Sequence, residues 1–161
     1  MTATRLMLSP VMLLAIALLI INDQFLKQAM PGVLTGKLSD VAGLIFFPIL
    51  LVAALEHIKV RTSHRTVAFA AIATGVVFAS IKTLPFAGDV YRVGLAALQW
   101  PFRALLAVVA GDAVPGLHRV QLTQDPTDLI ALPALLVPVW LAKRVMDRAL
   151  RGSVEVAARR S

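Results

Sequence analysis

The sequence predicts an all-α integral membrane protein. Four transmembrane helices form two parallel-repeat hairpins, with an interfacial or re-entrant helical segment between the third and fourth spans. Three observations carry this. With 58% apolar residues and a mean hydropathy of +0.81, a chain of 161 residues is more apolar than a soluble domain of that size. Its apolar runs approach the length that crosses a bilayer, about 20 residues. Its basic residues divide unequally between the segments that join those runs, as they do in membrane proteins.

The first run, Leu6 to Ile21, follows Arg5 and has no small-x-small cleavage pattern at its end, so it reads as an uncleaved first span over about residues 6–22. Pro10 lies in its first turns, where a missing N–H costs least. The second and third spans cover about residues 41–56 and 66–83. The fourth apolar run reaches spanning length only if about residues 126–146 are helical. Asp125-Pro126-Thr127-Asp128 reads as its start: a capping acid, proline at the first helical position and a second acid in the first turn.

Residues 90–110 do not fit a simple loop. The segment is apolar but interrupted by Arg92, Gln99, Pro101 and Arg103, and Tyr91, Trp100 and Phe102 suit the headgroup level. A fifth span is an open alternative. An interfacial or re-entrant pair of helices broken at Pro101 fits better.

Orientation follows from lysine and arginine. With four spans and both termini cytoplasmic, the inner segments hold ten bases (Arg5, Lys59, Arg61, Arg65, Lys143, Arg144, Arg148, Arg151, Arg159 and Arg160) against three acids, Glu56, Asp147 and Glu155, which accounts for the whole +7. The outer segments hold six of each. Basic loops resist translocation, so this places the protein in a bacterial inner membrane with both termini inside. The basic tail, residues 147–161, reads as a topology signal and a contact for anionic lipid rather than for nucleic acid.

One internal similarity supports the hairpins. Ser39-Asp40-Val41-Ala42-Gly43-Leu44 and Thr127-Asp128-Leu129-Ile130-Ala131-Leu132 share a hydroxyl, an aspartate, two apolar residues, a small residue and leucine. Two hairpins with this pattern would be related by an axis along the membrane normal.

The same topology gathers Asp23, Lys27, Lys37, Asp40, Lys82, Asp89, Arg92, Asp125 and Asp128 toward the outer ends of the spans, as candidate ligand-binding residues. Four of them have a structural reading beside the functional one. Asp40 and Asp128 can cap helix N-termini, and Lys27 and Lys82 can snorkel to the interface.

Other chemistry is poorly supplied. There is no cysteine, and the three histidines, His57, His64 and His118, lack metal-site spacing. No catalytic or phosphate-loop motif is present, and no metal or other cofactor is expected. Gly36, Leu38, Asp40 and Gly43 have the spacing of the major facilitator loop, but the chain then runs into Leu44-Ile45-Phe46-Phe47 where that loop is basic.

Gln28, Gly32, Lys37, Asp40 and Gly43 resemble the polar stretch of small bacterial VanZ-like membrane proteins. Asp23 is the nearest acid before the glutamine, and the asparagine usual after the aspartate is missing. The resemblance implies a cell-envelope role, linked in some members to glycopeptide tolerance. From the charged residues themselves two functions are expected ahead of a third, an enzyme acting on a lipid-linked substrate, for which paired acids could do acid–base work but no nucleophile or metal site stands out. The outer polar cluster binds a lipid headgroup, an ion or an envelope precursor, or the charges fix topology in a structural or assembly subunit.

Overall fold

The computed structural model describes residues 2–30, 32–120 and 122–158, and for residues 27, 150 and 152–158 the backbone alone. Among the described residues the regular structure is all helical, with no strand. The helices are α1 (Ala3–Met7), α2 (Pro10–Ile21), a π-helical turn (Asn22–Leu26), α3 (Lys27–Ala29), α4 (Val33–His57), α5 (His64–Thr83), α6 (Pro85–Ala110), a 3-10 helix (Pro126–Leu135) and α7 (Leu136–Ala158). Four stretches are long and apolar enough to cross a membrane: Val33–His57, His64–Thr83, Pro85–Ala110 and Pro126–Ala149. These make the chain an integral membrane protein by length and composition.

The number four was expected, but its membership differs. The apolar helix Pro10–Leu26 is shorter than the others, and Pro85–Ala110 is long enough to span. Ser9 explains the first difference, since its Oγ accepts the Met12 N–H at 3.4 Å and caps α2, with Pro10 at the first helical position. The second corrects the expected break at Pro101, because α6 runs through it. Ala97, whose carbonyl loses its partner to that proline, is exposed, so the carbonyl can find one outside the protein.

The chain divides into two compact units, Met1–Val76 with Ile130–Ser161, and Val77–Leu129. In the first, Leu6, Met12, Ile49, Val52, Val67, Leu141 and Ala142 form the buried core. Gly75 is buried against Leu135, whose Cδ1 would lie 2.8 Å from an added Cβ. The Ala3 N–H at the start of α1 donates to Glu56 Oε2 at 2.9 Å, tying it to the last turn of α4.

The second unit is a helix and its return. Leu84 alone links α5 to α6, in extended conformation as expected before a proline. Gly111, at φ 76°, ends α6. The chain then comes back along α6 without regular structure. The Trp100 indole N–H donates to Pro115 O at 2.8 Å, Arg92 Nη2 donates to Leu122 O at 2.8 Å, and Gln124 Nε2 reaches the end of α5.

Candidate functional site

In the second unit Pro85 sets the geometry. It has no N–H, so the carbonyl of Ile81 is left without its helical donor. Gln124 Nε2 supplies one at 2.8 Å and also donates to Leu84 O at 3.0 Å. Gly88 makes room, since a Cβ there would collide with the Gln124 amide. With the return fixed at this point, Asp125 Oδ1 accepts the Thr127 N–H at 2.8 Å and starts the 3-10 helix, as the sequence predicts.

Asp128 in that first turn meets Lys82 near the end of α5. Nζ donates to Oδ2 at 2.6 Å, and the two side chains are 10% and 11% exposed. The ammonium also lies 5.5 Å from the centre of the Phe78 ring. One turn into α6, Arg92 Nη1 pairs with Asp89 Oδ1 at 3.2 Å. Five of the nine residues named from sequence (Lys82, Asp89, Arg92, Asp125 and Asp128) therefore lie in this unit.

The other four lie in the first unit. Asp23 is in the π turn, and its Oδ1 accepts a hydrogen bond from Ser39 Oγ at 2.7 Å. Lys37 and Asp40 are half-buried within α4. The backbone of Lys27 opens α3, and its side chain lies outside the described residues. Asp40 is not at a helix N-terminus, because α4 begins at Val33 rather than near Val41. The similarity between residues 39–44 and 127–132 is accordingly not one of helix position.

Asn22 is the polar residue the sequence reading passed over. It is 0% exposed, and its Nδ2 donates to Thr35 O at 2.7 Å and to Ser39 Oγ at 2.6 Å. Thr35 and Ser39 are four apart and share a face of α4. Thr35 Oγ1 also accepts the Gly32 N–H at 3.2 Å, which settles the first turn of that helix. The available signal was an amide placed directly after the apolar run that ends at Ile21.

Both clusters consist of acids, bases, amides and hydroxyls at helix ends. Among the described residues no group of histidines and acids could hold a metal by those side chains alone. These groups supply charge and hydrogen bonding.

Comparison with protein families, curated proteins and solved structures finds no match. The resemblance to VanZ-like proteins rests on the residues already named, and function is argued from the geometry.

Proposed function

We propose that this chain is an integral protein of a bacterial inner membrane, both termini cytoplasmic, that holds a lipid headgroup, an ion or an envelope precursor among its outer polar helix ends. The return of residues 111–125 along α6 carries the reading. If α6 crossed the membrane, those residues would have to cross it again in extended form. Between Ala113 and Gln124, Val120 is the one described residue whose backbone has a backbone partner, a 3.4 Å bond to Arg92 O. In hydrocarbon each unpaired group costs several kcal/mol, so the return belongs in water or among headgroups.

With α6 at the outer headgroup layer, the crossings are the helical chain from Pro10 to Ala29, α4, α5 and Pro126–Ala149. The first is about 30 Å long at about 1.5 Å per residue, which matches the hydrocarbon core. These four form the two parallel-repeat hairpins and leave the ten inner bases on the cytoplasmic side. The exposed bases Lys143, Arg144, Arg148 and Arg151 then face the anionic inner leaflet, and Arg144 stacks 4.1 Å over the Trp140 ring at that level.

A second reading is favoured by one observation. Lys82 and Asp128 neutralise each other at 2.6 Å, as charges in a structural or assembly subunit would. Lipid identification by native mass spectrometry separates the two, comparing wild type with Asp40→Asn and Arg92→Gln in mild detergent. Binding predicts a defined lipid or small anion on wild type that folded variants lose. Identical lipids on all three, with a changed subunit count, would sink the binding reading in favour of assembly.

A further inference from the structure

We infer that the second unit is an anchor in one leaflet: the apolar side of α6 sinks among the acyl chains of the outer leaflet, the return lies toward water, and loosely packed lipid rather than anionic headgroup holds the helix there. This rests on the outer placement of α6 proposed above and adds what the helix touches.

The helix α6 separates its side chains by side. At about 100° per residue, Asp89, Arg92, Gln99 and Arg103 fall within about 80° of one another, so its charged and amide side chains form one stripe. The return is fixed on that same side. Arg92 holds Leu122 O, Trp100 holds Pro115 O, and Gly88 and Ala96, the buried residues of α6, lie within the stripe or beside it. The opposite side carries Val90, Leu98, Phe102, Leu105 and Val109 along most of the helix, and all five are exposed, Leu98 and Val109 to 77%. A helix whose narrow polar stripe is covered by its own chain, with a long apolar face left open, is suited to hydrocarbon on that face and not to water.

Connectivity makes the bilayer the occupant of that face. The helix before it, α5, has the length and composition of a span, and Leu84 alone separates its end from Pro85, so α6 begins at the membrane. Charge decides the kind of lipid contact. Residues 85–124 hold three bases, Arg92, Arg103 and Arg119, against two acids, Asp89 and Asp112, a net charge of +1. One pair is already closed, with Arg92 Nη1 at 3.2 Å from Asp89 Oδ1. So small an excess gives anionic headgroups little to attract, whereas binding through apolar area depends on room between headgroups for side chains to enter. Because α6 takes up area in one leaflet only, a loosely packed outer leaflet favours it.

The test uses the full chain, which has no native cysteine, with the single substitutions Val90→Cys, Leu98→Cys, Gln99→Cys and Val109→Cys at exposed positions. Each is labelled with a polarity-sensitive fluorophore and reconstituted in dioleoylphosphatidylcholine vesicles, where nitroxide placed along the acyl chain reads depth. Probes at 90, 98 and 109 are expected at one common depth just below the headgroups, with the probe at 99 nearer water. Cholesterol, which tightens chain packing, should shift the emission at 98 and 109 toward that in water, and phosphatidylglycerol should leave it unchanged. Emission at 98 and 109 already like that in water overturns the inference and leaves the outer excursion standing. A probe at 98 near the bilayer centre with 109 in the opposite leaflet means that α6 crosses, and overturns the excursion and the inference together. Emission that follows phosphatidylglycerol and ignores cholesterol overturns the choice of lipid. Probes at 98 and 109 shielded from both water and nitroxide overturn it too, because a protein surface, such as a second copy of this chain, then covers the face.

Discussion

At φ 69°, Lys59 sits in the left-handed region that favours glycine. The reason is the end of α4: Val60 N–H donates to Leu55 O at 3.1 Å and Lys59 N–H to Glu56 O at 3.1 Å, a pair of bonds that requires this conformation between them. Lys59→Gly should therefore stabilise the protein by about 1 kcal/mol, read as a rise in melting temperature. The buried pair makes the opposite kind of prediction. Asp128→Leu alone leaves the Lys82 ammonium buried without its carboxylate and should cost roughly 3–5 kcal/mol. The double variant Lys82→Met with Asp128→Leu should recover most of that loss, so a thermal double-mutant cycle checks whether the pair is structural.

At the scale of elements, the return segment hangs on Gln124. Gly88→Ala places a methyl group against its amide, and Gln124→Ala removes the donors that satisfy Ile81 O and Leu84 O. Each should cost about 1–3 kcal/mol, and combining them should cost little more than the larger single effect, because both break one contact. Hydrogen exchange at the Val120 amide, whose N–H donates to Arg92 O, would show the loosening directly. Much of this was legible in the sequence. The Asp125-Pro126-Thr127-Asp128 start follows from side chains that act on their own backbone, and apolar runs located α5 and the last span. Other features depend on partners far along the chain. The start of α4 at Val33 was hidden because Lys37, Ser39 and Asp40 look like loop residues in the sequence, and the Asn22 and Asp23 partners that hold Ser39 in the helix come from the far end of α2. A proline in an exposed helix need not break it, so Pro101 was misjudged. The π turn has no signature in residue type, and Gln124 is one glutamine among several until Pro85 orphans a carbonyl.

At the scale of the molecule, the central claim is that α6 and its return form an excursion on the outer side rather than a crossing and a second crossing. Hydropathy alone would choose the opposite, since Pro85–Ala110 passes the test for a span and Pro10–Leu26 is shorter. We weigh backbone hydrogen bonding above hydropathy, because a helix of any length can cross but a return with so few backbone partners is costly in hydrocarbon. The absence of native cysteine makes the deciding measurement clean: single cysteines at Ala87, Asp112 and His118, and at Arg61 as an inner control, are labelled in intact spheroplasts with a membrane-impermeant maleimide. The excursion predicts that 87, 112 and 118 react from outside and that 61 reacts only after permeabilisation. Labelling at 87 from outside with 112 reached only after permeabilisation would show that α6 crosses the membrane, and would contradict the account.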